Sequence, residues 1–249
     1  MLIDCHCHLN ECSETEKAIE RAKKNGVERI ISASTDFESN KENLSLSRKF
    51  PGIVFPCFGI HPSNLLRMKE KEVADCFEFI KENPGKGVGI GEIGLDFKHA
   101  ERKEERMLQE KIFLELIELG ERKKLPLVVH SRYAGKRVLE LLEEGNAERV
   151  LLHWFNGSVK EFEEGIKRNY FFSIGPSILS SKEYAEKVKE IPLENLMLET
   201  DSPVEFNGEK AEPSWIKEVG EKLAELKEVS MEEIENKTSE NAFKFFGLE

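Results

Sequence analysis

Short apolar runs rich in β-branched residues recur along the chain, and each gives way to a longer stretch in which apolar positions return every three or four residues. The first period predicts strands and the second helices, because side chains alternate along a strand but repeat about every 3.6 residues around a helix. Strands are expected at Leu2–His6, Arg29–Ala33, Ile53–Gly59, Gly87–Gly91, Leu127–His130, Val150–His153, Tyr170–Ile174 and Leu196–Glu199. Helices are expected near 13–25, 40–49, 69–82, 101–123, 134–144, 158–168, 181–189 and 212–227. The helical stripe is clearest where Met107, Leu108, Ile112, Leu116 and Leu119 line up between charged residues. A closing helix over Met231–Phe246 carries Phe243, Phe245 and Phe246 for packing.

Eight strand-then-helix units in 249 residues match the usual size of an α/β protein built as a (β/α)8 TIM-like barrel. An open doubly wound sheet is the alternative, but it usually has fewer units or a second domain. No Ser/Gly tract, charge block or low-complexity stretch marks a linker, so residues 1–249 read as one domain.

Composition changes the picture in three places. Hydrophobic residues at 39% exclude a disordered chain, and no apolar run approaches the roughly 20 residues of a membrane helix. A formal charge of −11 argues against a basic face gripping a long duplex, although bound cations can reverse the field locally. The start has no basic segment followed by an apolar one, and five cysteines are an odd number. A reducing, cytoplasmic setting without a disulfide framework is therefore expected.

The polar residues then fall into a pattern on this map. His6 ends the first strand, and His8 lies two residues on, on the same side of an extended chain. His61 follows the third strand and Glu92 the fourth; His130 and His153 end the fifth and sixth, and Asp201 sits just past the eighth. Five of the six histidines thus fall at C-terminal strand ends, which share one mouth in a parallel barrel. Imidazoles mixed with carboxylates suit divalent metals without cysteine. Four ligating histidines and two acids exceed the needs of one tetrahedral ion, so two ions are expected, with Glu92 placed to bridge them. Two cations roughly 3.5–4 Å apart supply hydroxide at neutral pH and clamp both oxygens of a phosphoryl displacement.

The motifs carrying this pattern are Asp4-Cys5-His6-Cys7-His8-Leu9, Gly59-Ile60-His61-Pro62, Gly91-Glu92-Ile93-Gly94-Leu95-Asp96, His130-Ser131-Arg132, His153-Trp154-Phe155-Asn156-Gly157-Ser158 and Glu199-Thr200-Asp201-Ser202-Pro203. In type, order and spacing they resemble the TatD family of metal-dependent hydrolases, of the amidohydrolase-like superfamily. The resemblance implies a TIM-like barrel and a magnesium-dependent nuclease, often working 3′→5′. It implies that His6, His8, Glu92 and Asp201 hold one metal ion (Mg, Mn or Zn) and that Glu92, His130 and His153 hold a second. Asp201 would orient or deprotonate the attacking water, and His61 would lie beside the scissile phosphate with Arg132 as a neighbour. Nucleic acid, as a short strand or a 3′ end, is the implied substrate.

The chain departs from the family pattern after Asp201, with Val204-Glu205-Phe206 and then Lys210-Ala211-Glu212-Pro213, and at Trp154 and Asn156 in the sixth motif. These positions bear on the substrate more than on the metals. An ester or amide hydrolase with the same ions is therefore the second reading, and a metal-loaded scaffold without turnover is the third. Trp154 and Phe155 are expected either to stack a base or to pack in the core. Asp96 reads either as a residue that helps the site or as the start of a loop, the structural role being favoured, and His99 as a solvated side chain. Strand alternation should turn Cys5 and Cys7 away from the side that His6 and His8 share, leaving both as small buried hydrophobes.

Overall fold

The computed structural model describes residues 1–83 and 85–248. Eight parallel strands form one sheet in chain order: β1 (Leu2–Cys7), β2 (Val27–Ala33), β3 (Val54–Phe58), β4 (Gly89–Asp96), β5 (Leu127–Arg132), β6 (Val150–His153), β7 (Phe171–Ile174) and β8 (Leu196–Leu198). Helices α1 (Thr15–Lys24), α2 (Phe37–Lys49), α3 (Pro62–Leu65), α4 (Glu70–Glu82), α5 (Lys103–Lys123), α6 (Gly135–Glu144), α7 (Val159–Lys167), α8 (Lys182–Lys189) and α9 (Ile216–Lys227) run between or after them, and α10 (Met231–Phe246) ends the chain. No helix among the described residues is long and apolar enough to cross a membrane.

The sheet curls into a barrel whose last seam is sewn by polar groups. The Asp201 amide donates to the His6 carbonyl at 3.0 Å and the His8 amide to the Ser202 carbonyl at 2.7 Å. Buried Asp4 adds a clasp, its carboxylate accepting from the Thr200 amide at 3.0 Å and from the Thr200 hydroxyl at 2.6 Å. These bonds hold His6 and Asp201, from opposite ends of the sequence, side by side.

Inside the barrel lies an apolar layer, with Cys5, Ile31, Cys57, Val128, Leu151 and Met197 in one cluster that Phe245 and Phe246 of α10 close. Truncating Met197 to Ala, in a site with no exposed surface, would cost about 2–5 kcal/mol. A second cluster fills the space between strands and outer helices. Along β5, β6 and β8 the inward parity then places His130, His153 and Glu199 directly above the apolar layer.

Strands β1 and β4 break that parity. Asp4 pairs with Ile30 and Cys7 with Ser32, three steps on β1 against two on β2. Ile90 pairs with Leu127 and Ile93 with Val129, again three steps against two. One extra residue in each strand is a β-bulge, which re-aims the side chains beyond it. The bulges bring His6 and Glu92 to the mouth. The expected alternation consequently holds for Cys7, which faces the outer core, and fails for Cys5, which lies inside beneath the site.

The fourth strand also runs five residues past its expected end. Gly59 is required at this crossing, because a Cβ there would sit 2.5 Å from the Gly91 backbone. Gly94, at φ +135°, would put a Cβ 2.1 Å from the His130 carbonyl oxygen. Helix α2 starts three residues before its expected start because Asp36 caps it, accepting from the Ser39 amide at 2.9 Å. After Asp201 a small hairpin, β9 (Glu205–Phe206) and β10 (Glu209–Lys210), turns at Asn207-Gly208 with positive φ at both. Asn-Gly is the signature of a tight hairpin turn, but strands of two residues are too short to show a period.

Candidate metal centre

A cavity of about 500 Å³ opens at the C-terminal mouth, lined among others by His8, His61, Glu92, His130, His153 and Asp201. Glu92 is its hub. Its Oε2 lies 3.4 Å from His6 Nε2 and 3.1 Å from His8 Nε2, and Asp201 Oδ1 lies 3.4 Å from each of the same two nitrogens. Its Oε1 lies 2.7 Å from His130 Nδ1 and 2.9 Å from His153 Nε2, which are 3.3 Å apart. The donors thus divide into a group of four and a group of three, with one Glu92 oxygen in each.

The first group's separations of 3.1 and 3.4 Å fit a cation, whereas the 2.7 and 2.9 Å contacts of Glu92 Oε1 in the second are hydrogen-bond distances that an ion would open. Donor atoms around an ion with bonds of about 2.1 Å stand roughly 3.0–3.4 Å apart along the edges of the coordination shell. His6 Nε2, Glu92 Oε2 and Asp201 Oδ1 are buried without any hydrogen-bond partner among the described residues, a costly state that a bound ion would relieve.

The outer edges of the rings separate ligands from donors. His8 Nδ1 lies 3.1 Å from the Ala33 carbonyl oxygen, which can only accept, so the lone pair of His8 faces inward on Nε2. Asp96 Oδ2 at 3.3 Å from His130 Nε2, and Glu199 Oε2 at 3.5 Å from His153 Nδ1, favour the same arrangement. Glu199 is itself fully buried and accepts from the Ser173 hydroxyl at 2.5 Å. His61 is the reverse. The Ser63 amide donates to its Nδ1 at 3.1 Å, so its proton sits on Nε2, 3.2 Å from Glu92 Oε1. His61 therefore presents a hydrogen-bond donor to the cavity rather than a lone pair.

The electrostatics follow from this packing. Burial opposes charge on Glu92, yet the imidazoles of His61 and His153 and hydrogen bonds from His130 and His153 hold it well below the usual carboxylate range. Burial likewise opposes charge on Asp201, and the His6 and His8 imidazoles, each 3.4 Å from its Oδ1, outweigh it and lower its pKa. Burial pulls His8 down, but the neighbouring carboxylates of Asp201 and Glu92 carry it well above the ordinary histidine value. His153 is raised well above that value against its own burial by Glu92 and Glu199, and His130 is raised by Asp96 and Glu92. His61 moves down, chiefly by burial. In the absence of a cation the centre thus balances its carboxylates with protons, and a cation must displace them.

All six residues expected as ligands meet here, with His61 beside them. Arg132 and Trp154 line the same cavity; Arg132 is exposed and forms no ion pair among the described residues. The Trp154 indole is anchored by donating to the Ser177 hydroxyl at 2.7 Å, whereas Phe155 is buried in the core. Asp96 and His99 both stand closer to the site than a loop start and a solvated side chain require. Asp96 does turn the loop, accepting from the Lys98 and His99 amides, but it also reaches His130. His99 is bonded to Asp96 and lines the cavity. Glu199 stands in the last motif with no role assigned from sequence; its signal was the inward parity it shares with His153.

The family described as TatD related DNase matches residues 3–247. The human deoxyribonuclease TATDN3 is 36% identical over 261 residues, covering 98% of this chain and 94% of that one. The Bacillus subtilis protein named uncharacterized metal-dependent hydrolase YabD is 36% identical over 261 residues and covers all of both chains. Among solved structures, the TatD homologue YjjV of Escherichia coli K12 superposes with a TM-score of 0.91 at 25% identity, covering 100% of this chain and 98% of that one. With the family match spanning the barrel and all six motifs, the chain belongs to the TatD-related DNase family.

Proposed function

We propose that the chain is a phosphodiesterase that uses two divalent cations to remove nucleotides from a nucleic-acid end, DNA first, in the 3′→5′ direction. The observation that carries this reading is the division of the Glu92 carboxylate between two groups of donor atoms. In this reading His6, His8, Glu92 and Asp201 hold one ion, and Glu92, His130 and His153 hold the other; Mg, Mn and Zn all suit the donor set. Such ions, when bound, acidify water and neutralise charge on phosphoryl oxygens.

The chain's own side chains then have distinct tasks. Asp201, held as a carboxylate at the cavity wall, takes the proton of the attacking water. His61 donates from Nε2 to a phosphoryl oxygen as charge develops there. Arg132 reaches the nucleic-acid backbone from the rim, and Trp154 offers a face to a base. The name of the human relative supports DNA, and the charge of −11 favours a strand end over a long duplex. Five cysteines without a disulfide among the described residues fit a reducing cytoplasm.

Val204, which lines the cavity in the rebuilt segment after Asp201, favours a second reading: an ester or amide hydrolase with the same ions. A matched panel of phosphodiesters and carboxyl esters, assayed with each metal, separates the two. Turnover confined to carboxyl esters would remove the phosphodiesterase reading.

A further inference from the structure

His99 follows β4 at the rim, its side chain about half exposed, and its imidazole lines the same cavity as the metal-binding residues. Its Nδ1 donates to Asp96 Oδ2 at 2.7 Å, and Asp96 is buried. The other Asp96 oxygen accepts from the amides of Lys98 and His99 at 3.0 and 3.1 Å, so the carboxylate fixes both ring and loop. The Asp96 amide is tied in turn to Gln109 Oε1 at 3.0 Å, and Gln109 Nε2 donates to the Pro62 carbonyl at 2.9 Å. The same Oδ2 stands 3.3 Å from His130 Nε2, so one braced carboxylate fixes the rim imidazole of His99 relative to His130 on the cavity wall.

A carboxylate on Nδ1 leaves Nε2 as the nitrogen that exchanges a proton with whatever fills the cavity, the division of labour found in acid–base dyads. Asp201 and the donor groups occupy the floor, so the rim is the place from which a departing group can be met. We infer that His99, oriented by Asp96, is the proton donor to the leaving oxygen. The inference rests on the phosphodiesterase reading. Water oxygen forms a new bond to phosphorus while the bond from phosphorus to the 3′-oxygen of the preceding nucleotide breaks. The water proton goes to Asp201, and the Nε2 proton of His99 goes to the departing oxygen. Half-exposed, the ring recovers its proton from solvent. His99 thus touches the substrate and is a catalytic residue, whereas Asp96 acts through it as a positioning residue.

The test compares two phosphodiesters on wild type, His99→Asn and Asp201→Asn, with Mn²⁺ supplied throughout. One is a thymidine dinucleotide, whose alkoxide leaving group needs a proton; the other is the p-nitrophenyl ester of thymidine 5′-phosphate, whose phenolate leaves without one. In His99→Asn, turnover of the dinucleotide should fall about 100-fold or more, and that of the nitrophenyl ester less than about tenfold. Asp201→Asn should lose both. Metal content and melting temperature of His99→Asn measured alongside exclude a folding defect as the cause. Equal losses on both substrates, or no loss on the dinucleotide, would overturn the assignment. A wild type that cleaves neither substrate would instead remove the phosphodiesterase reading on which the assignment rests.

Discussion

Replacing Glu92 by Gln keeps the shape of the side chain and removes what the two donor groups share. The amide oxygen can serve one group, but the other then faces an NH₂ whose hydrogens point at nitrogen lone pairs. If the oxygen stays with His6, His8 and Asp201, the second group is reduced from three donors to His130 and His153. If it turns the other way, the first group loses one of its four. Either way one ion should be lost. Each ion supplied at about 100 times its dissociation constant stabilises the fold by about 2.7 kcal/mol. Two ions would therefore contribute about 5 kcal/mol, or roughly 10–20 °C of melting temperature for a chain of this size. Glu92→Gln should bind no more than one equivalent of Mn²⁺ or Zn²⁺ by elemental analysis, and the metal-induced rise in melting temperature should shrink by about half or more. Two tightly bound equivalents and the full rise would refute a bridging Glu92.

Glu199→Gln should weaken metal binding about 10–100-fold in calorimetric titration, because the outer partner of His153 loses its negative charge while no donor atom is touched; unchanged affinity would remove Glu199 from the centre. Metal-free protein should lose stability as pH rises above about 6.5, because raised values for His8, His130 and His153 mean the folded state binds more protons than the unfolded one there. Glu92 and Asp201, lowered in the fold, contribute above about pH 4 and lose that contribution as pH falls further. Melting curves at pH 6 and 8.5 with chelator should show the loss, and saturating Zn²⁺ should abolish it; a chelated protein more stable at pH 8.5 contradicts the sign. Gly94→Ala should cost about 2–5 kcal/mol in urea unfolding, combining an unfavourable positive φ with a Cβ pressed on the His130 carbonyl. An unchanged midpoint would mean the strand yields at no cost.

Much of the barrel was legible because the two periods of its elements differ, and because a parallel barrel converts strand ends into a single mouth. That logic brought His6, His130, His153 and Asp201 together from positions far apart in the chain. It did not reveal the bulges in β1 and β4, because an inserted residue leaves no mark in composition. Gly91-Glu92-Ile93-Gly94 looks like a turn, yet its glycines serve close approach: a Cβ on Gly91 would stand 2.6 Å from Val128 Cβ. The roles of Glu199, Asp96 and His99 were hard to read for a different reason. What a carboxylate does depends on which ring stands beside it, and for Glu199 that ring, His153, comes from a different strand. The hairpin at 205–210 was within reach, since Asn207-Gly208 announces it.

The most direct test of a two-cation phosphodiesterase centre is release of mononucleotides from a short single strand of DNA labelled at its 3′ end, with Mg²⁺, Mn²⁺ or Zn²⁺ supplied and Asp201→Ala as control. The geometry of Glu92 and Asp201 predicts stepwise loss of the labelled end with at least one metal and none in the variant. An intact strand despite bound metal, or equal cleavage by Asp201→Ala, would contradict it.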